Sequence, residues 1–207
     1  ESRFVVVQER VEGATALVVS DAEAEVLAER ASRRINPVDP LQGGGGFGRV
    51  GPKRVLPRVG GEWRSSFLTE PADGKMPITA EGRRLTAERQ ALARRPVDDP
   101  EMRFPSERCI AGPASHPPMG LVMGIENIRQ IVQTKTHIVV YSEEDGRTRI
   151  VPIGSVTRSV GAPTTLGESS ARWDGDVLVI ETVNMSLRPA TLIVTRPQGK
   201  VIERLSF

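Results

Sequence analysis

TLGESSARWDGDVLVIETVN, residues 165–184, is the stretch whose reading decides the fold class. Asp174-Gly175 is a turn dipeptide, with SARW (170–173) entering it and DVLVIETV (176–183) leaving it as a strand. A dipeptide of this kind between apolar runs is a strong hairpin signal, because glycine and aspartate tolerate the backbone that tight turns require. Strand alternation puts Val177, Val179, Glu181 and Val183 on one face, and Leu178, Ile180 and Thr182 on the other. Glu181 therefore interrupts an apolar row. Either that row borders solvent, or Glu181 points into a cavity where an arginine or a ligand must satisfy it; Arg149, on a neighbouring strand, is the expected partner. Gly-Glu-Ser-Ser at 167–170 is not a Gly-x-Ser-x-Gly nucleophile elbow, since the second glycine is missing and no strand-to-helix turn follows.

Outward from this hairpin the same pattern repeats. IRQIVQT (128–134), THIVVYS (136–142), RTRIVPI (147–153), ATLIVTR (190–196) and KVIERLSF (200–207) are short apolar-alternating runs. EEDG (143–146), Asp174-Gly175 and RPQG (196–199) supply turn chemistry between three of the pairs. Closely spaced strands with hairpin-length connections predict an antiparallel meander over 128–207 rather than parallel βαβ units. Upstream, SDAEAEVLAERASRR (20–34) has capping-box spacing at Ser20 and Glu23, and Val26, Leu27 and Ala31 give it an apolar stripe. TAEGRRLTAERQALARR (79–95) is a second helix with Thr79 as its N-cap. RFVVVQ (3–8) and TALVVS (15–20) suggest an opening hairpin, and EWRSSFLT (62–69) a strand. Residues 36–61 are glycine-rich and read as an irregular loop. Gly43–Gly46, Gly48 and Lys53 lack the Lys-Ser/Thr ending of a phosphate-binding loop, so they predict no nucleotide site. The expectation is one α+β domain spanning 1–207: a mostly antiparallel, curved sheet or partial β-barrel with two peripheral helices.

Composition removes several functions. The 207 residues are 38% apolar and 26% charged, enough of each to bury a core and solvate a surface. Aromatics at 4% argue against a base-stacking platform, and the net charge of +2 gives no nucleic-acid footprint. Cys109 is the only cysteine, which excludes an intramolecular disulfide and a zinc site built on several thiolates. Neither His-x-His nor His-x-x-x-His spacing occurs, so no metal is expected, and no cofactor fingerprint is present. No run approaches the ~18 apolar residues of a spanning helix, which predicts no membrane insertion.

Several stretches together carry a family resemblance: RSSFLTEPADGKMPITAEGRR (64–84), SERC (106–109), QIVQTKTHIVVYSEEDGRTRIVPI (130–153), LGESSARWDGDVLVIETVN (166–184) and VIERLSF (201–207). In that order they resemble a family of exported bacterial proteins that typically show Glu-Arg-Cys, then Gln-Thr-x-x-His-Val-Val, then Gly-Asp-Ser-x-Gly-Arg-Trp-Glu-Gly-Asp-Thr-Leu-Val-Val. The family has no settled activity, so the resemblance implies fold and a periplasmic or secreted location rather than chemistry. Its members commonly carry Glu-x-x-His after the His-Val-Val strand; here Glu143 is present and Gly146 stands at the histidine position. The family also continues for further strands beyond the point where this sequence stops at Phe207, and the expected open sheet edge would suit a second chain or a homo-oligomer.

The candidate site residues follow from these placements. His137, Val139 and Tyr141 share one face of their strand, and a histidine lining a cleft there would serve as a general base near neutral pH, with Tyr141 beside it. The plainer reading is a half-buried histidine bonded to backbone. His116, followed by two prolines, sits on an extended loop. Cys109 follows Glu107 and Arg108, a setting for an activated thiolate or for an inert buried thiol beside an ion pair. Trp173 is expected to cover the sheet end, with Arg172 pairing with Glu168 or Asp176. The leading expectation is a small-molecule-binding domain of an exported protein, with an apolar cavity and Arg149, Arg172, Trp173, Glu143 and Cys109 as ligand-binding residues. One alternative is an acid–base enzyme of isomerase, dehydratase or cyclase type, with His137, Tyr141 and Glu181 as its catalytic groups. The other is an interaction module that pairs through a sheet edge.

Overall fold

Ser20 sets the start of the first helix, α1 (Asp21–Arg33). Its hydroxyl accepts the Glu23 backbone N–H at 3.3 Å, and the helical ladder begins where Ala24 N–H meets the Ser20 carbonyl at 2.8 Å. Ala24, Leu27 and Ala28 are buried and Ala31 packs against them, the i, i+3, i+4, i+7 stripe of an amphipathic helix. Val26, expected in that stripe, is 56% exposed. At about 100° per residue it lies some 200° round from Ala24, on the solvent side. The computed structural model describes residues 3–4, 9–33, 54–93, 99–100, 103, 108, 116–118, 129–142, 147–154, 161–186 and 198–206.

The chain divides into two compact units, Glu1–Pro77 and Ile78–Phe207. In the first, β1 (Arg3–Phe4) pairs in parallel with β3 (Arg54–Val55). A second sheet has the order β2 (Val18–Val19), β5 (Glu62–Arg64), β4 (Arg58–Val59), all antiparallel. The expected opening hairpin between 3–8 and 15–20 is not formed among the described residues, because β1 and β2 each take partners from beyond α1. Strands β3 and β4 also occupy the end of the stretch read as irregular; the rest of that loop lies outside the described residues. α1 closes the core of this unit, where Leu27, Val19 and Leu56 are buried with Trp63 packed alongside. Each such aliphatic side chain contributes roughly 1.5–3 kcal/mol by leaving water.

The second unit begins with α2 (Ala80–Ala93), capped as its sequence requires: Thr79 Oγ1 accepts Gly82 N–H at 3.1 Å. Arg84 bridges Glu81 and Glu88 along its exposed side. The remainder is an antiparallel meander in two three-stranded sheets. The first has the order β6 (Arg129–Gln133), β7 (His137–Ser142), β8 (Arg147–Pro152), and the second β9 (Glu168–Asp174), β10 (Val177–Val183), β11 (Val201–Ser206). The β9–β10 hairpin is the one read from the sequence, with its loop one residue later than the expected Asp174-Gly175 turn. Asp174 and Val177 are paired, so Gly175 and Asp176 form its two-residue loop, and Gly175 supplies the positive φ of 60°. A bridge between Ile153 and Ala171, with Gly154 N–H on the Ala171 carbonyl at 2.8 Å, ties the sheets together at one corner. Ile138, Val140 and Val151 from one sheet and Ala171, Leu178 and Ile180 from the other form a single apolar cluster. The architecture is α+β and dominated by antiparallel sheet, and among the described residues no sheet closes into a barrel. The run 190–196 and the turn 143–146 lie outside the described residues.

Entry to β9 depends on one close approach. Gly167 has φ of 69°, and a Cβ there would stand 2.5 Å from the Val183 carbonyl oxygen and 2.8 Å from Thr182 Cγ2. Only glycine lets the chain pass the end of β10 so closely, and that passage sets the register by which Ser169 faces Thr182.

Candidate functional site

In β8 the inward row is Arg147, Arg149 and Val151; in β11 it is Val201, Glu203 and Leu205. With Arg147 half-buried at its start, the first row carries buried Arg149 and the second buried Glu203, each at a position that alternation sends to the interior. The two meet: Arg149 Nη2 lies 2.7 Å from Glu203 Oε2, with the side chains 5% and 4% exposed. The approach is close in distance yet off the angle of a good hydrogen bond, so this contact is chiefly an ion pair. Two hydroxyls complete the guanidinium's surroundings. Nη2 donates to Thr182 Oγ1 at 2.7 Å, and Nε and Nη2 donate to Ser169 Oγ at 3.2 and 3.0 Å. Ser169 and Thr182 hydroxyls are 2.9 Å apart, directly opposite one another on β9 and β10. Burying a charge pair costs several kcal/mol per ion before attraction is counted, and added hydrogen bonds of this kind offset it.

Besides Glu203 Oε2, which is held by its ion pair, three buried side-chain atoms in this unit make no hydrogen bond among the described residues: Arg149 Nη1, His116 Nε2 and Ser142 Oγ. Their residues are 5%, 3% and 2% exposed. Ser142 shares the inward face of β7 with Val140, which is paired with Arg149, so Ser142 is one diagonal step from Arg149 across the sheet. His116 is close enough that both ends of the ion pair act on it. Burial pushes its imidazole below the usual histidine range, and Arg149 pushes the same way; a hydrogen bond to the Pro117 backbone and the Glu203 carboxylate push upward. Proline has no N–H, so that bond runs from an imidazole N–H to the Pro117 carbonyl. Since Nε2 has no partner, the donor is Nδ1, and Nε2 carries a bare lone pair in the neutral ring. A neutral imidazole with a bare Nε2 lone pair can accept a hydrogen bond from a hydroxyl.

The residues singled out from the sequence are distributed differently. His137, Val139 and Tyr141 do share a face of β7, and it is the outer one: Ile138, Val140 and Ser142 are buried, while Tyr141 is exposed. His137 Nδ1 lies 2.9 Å from the hydroxyl of its neighbour Thr136, at the mouth of a turn in which Thr134 Oγ1 accepts the His137 backbone N–H. Along an extended strand His137 and Tyr141 stand roughly 13 Å apart, too far to act on one atom. Glu181 does not meet Arg149. It is half-buried on the opposite face of β10 from Thr182 and pairs with Lys200 at 3.5 Å. Arg172 and Trp173 are exposed near the hairpin tip, with Arg172 3.7 Å from Asp174 rather than on Glu168 or Asp176. Cys109 and Glu143 lie outside the described residues. Of the described residues in the expected set, Arg149 alone enters the buried cluster.

Thr182, Ser169, Glu203, Ser142 and His116 were not expected there. The signal for Glu203 was available: Val201-x-Glu203-x-Leu205 is an apolar row broken by one charge, the same irregularity that drew notice to Glu181. Among the described residues no group of three or more His, Cys, Asp or Glu is placed to hold a metal ion. No described helix is long and apolar enough to cross a membrane. Compared with family models, with curated proteins and with solved structures, the chain matches none.

Proposed function

We propose that the second unit is a small-molecule-binding domain of an exported bacterial protein, with the Arg149 cluster as the polar anchor for a largely apolar ligand. One observation carries the reading: Arg149 Nη1, His116 Nε2 and Ser142 Oγ are buried and unpartnered in the same unit. Each such atom costs about 1–3 kcal/mol when left unsatisfied. A ligand that pairs with them recovers that cost. The apolar cluster of Ile138, Val140, Leu178 and Ile180, formed by the same strands, supports an apolar body for the ligand. The motif resemblance noted in the sequence supports export, to the periplasm or beyond the cell. Native mass spectrometry on protein purified gently from its own host tests the binding reading: a retained small molecule is the expected result, and bare protein under conditions that preserve the fold counts against it.

A second reading has its own observation. On the outer face of the β6–β7–β8 sheet, Val132, Val139 and Ile150 are cross-strand neighbours, and Ile150 is 63% exposed. Tyr141 extends this apolar row. A face of this kind suits protein association. Sedimentation would reveal a concentration-dependent oligomer abolished by Ile150→Lys; a monomer at high concentration would remove this reading and leave the first intact.

A further inference from the structure

The two three-stranded sheets of the second unit differ on the faces they turn away from their shared core. On the β9–β10–β11 sheet that face carries Glu168, Arg172, Asp174, Glu181 and Arg204. On the β6–β7–β8 sheet it consists of the cross-strand rows Gln130–Tyr141–Thr148, Val132–Val139–Ile150 and His137–Pro152, without one Asp, Glu, Lys or Arg. The rest of the chain does not cover it: Val132 is 44%, Tyr141 41% and Ile150 63% exposed. A sheet with one wetted face ordinarily turns polar residues outward. Here β8 has two arginines, Arg147 and Arg149, and alternation sends both to the inner row while Ile150 goes out. A surface that is apolar at its centre, holds a tyrosine and lacks charge has the composition of the core of a protein interface.

We propose that this face stacks on the same face of a second copy of the chain, a step that rests on the association reading above and names its partner. Two arguments choose a copy over a foreign surface. The first is charge: a charged side chain laid on this face would lose water and meet no opposite charge, and the same face of a second copy brings none. The second is shape. A two-fold axis parallel to β7, passing over Val139, lays β6 of one copy across β8 of the other. Val132, the smaller side chain at one end of the middle row, then meets Ile150 of the partner subunit, the larger and more exposed one at the other end. Large against small at facing positions lets two sheets interdigitate at their usual spacing of about 10 Å. A crossing angle of about 30° carries the two Tyr141 rings past one another rather than ring onto ring. Size sets the strength. Three strands about 4.8 Å apart and roughly 17 Å long present about 240 Å² in plan. That is well short of the roughly 800 Å² per partner of a stable interface, so the dimer is weak, with a Kd on the order of 100 μM.

Sedimentation equilibrium on the full chain, from about 10 μM to about 1 mM, tests the stacked pair, and the parent chain is expected to pass from monomer to mostly dimer across that range. Val132→Glu and Ile150→Lys each place one charge on the face and are expected to weaken the dimer at least about tenfold. An equimolar mixture of the two variants should associate to within about threefold of the parent, because the introduced charges are opposite and face each other across the axis. Both substitutions are at exposed positions, and melting temperatures equal to the parent's show that a lost dimer is not a lost fold. A dimer that each charge abolishes and mixing fails to restore would overturn the face-to-face arrangement and leave the association reading in place. A dimer indifferent to both substitutions, or a parent chain still monomeric at the highest concentration, would overturn the two together.

Discussion

Two arginine–carboxylate pairs occupy corresponding roles in the two units and differ in nearly everything that sets their energy. In the first unit, Arg58 Nη2 lies 3.4 Å from Asp21 Oδ1, with the side chains 51% and 88% exposed. The guanidinium also covers the Trp63 ring at 3.9 Å, and Trp63 Nε1 donates to the same Asp21 oxygen at 2.6 Å. In the second unit, the Arg149–Glu203 pair is almost completely enclosed and leans on two hydroxyls. Water competes for every contact of the first pair and for none of the second. The exposed pair is therefore replaceable at little cost. The enclosed pair is a commitment: each member is tolerable only while the other is present. Buried side-chain atoms without a hydrogen-bond partner occur in both units, at Arg10 Nε and Arg64 Nε in the first; of the two arginines compared, only Arg149 carries one, at Nη1.

The largest test of that contrast is Arg149→Met. It leaves the Glu203 carboxylate buried without its cation, and urea denaturation should show a loss of about 3–5 kcal/mol. The double substitution Arg149→Met with Glu203→Leu removes both charges and should recover most of that loss, because apolar replacement of a whole buried pair is close to neutral. A double variant as unstable as the single one would mean that packing around the cluster, not charge, sets the cost. Thr182→Val comes next. It keeps volume while deleting the acceptor that Arg149 Nη2 reaches at 2.7 Å, and a destabilisation of about 1–2 kcal/mol is expected.

How far this arrangement was legible in the sequence differs by level. Both helices, their caps and the β9–β10 hairpin are local matters, fixed by Ser20, Thr79 and Gly175 acting on residues within a few positions. The opening hairpin failed because a short β-branched run specifies that it will pair, and not with what; β1 found its partner on the far side of α1. For β7, alternation separated His137, Val139 and Tyr141 from Ile138, Val140 and Ser142, yet both rows are equally apolar on paper. Which one faces the core is decided by the sheet packed against it. Arg149 and Glu203 are a long-range version of the same limit. One charge in an apolar row reads as a solvated edge until a second, opposite charge is found on an inward row elsewhere. His116 was hidden by its prolines, which indicate an extended loop and say nothing about what covers it.

The imidazole gives the enclosed cluster a pH dependence. Its folded pKa lies below the ordinary 6.5, chiefly through burial, and the charged groups acting on it are Arg149 from β8 and Glu203 from β11. In the window between the two values the unfolded chain holds the proton and the folded chain does not. Stability is therefore complete above about pH 6.5 and declines as pH falls toward the folded value, with a slope of at most ~1.4 kcal/mol per pH unit from this one group. His116→Phe should flatten that limb between pH 6.5 and 5 in thermal melts. An unchanged limb would assign the acid sensitivity to carboxylates and place His116 in contact with water.

The smallest effect completes the contrast. Arg58→Ala deletes an ion pair and a cation–π contact at once, and still should cost only about 1 kcal/mol, because side-chain entropy and hydration offset most of what the contacts supply. Half or more of that should vanish in high salt, where the screening length falls to about 3 Å, leaving the part due to guanidinium stacking on Trp63. The Arg149 pair should show no comparable salt dependence, since its field lines run through protein rather than solvent. If Arg58→Ala proved as costly as Arg149→Met and as indifferent to salt, exposure would not be what distinguishes the two arginines, and the unpartnered atoms around Arg149 would lose their claim to mark a site.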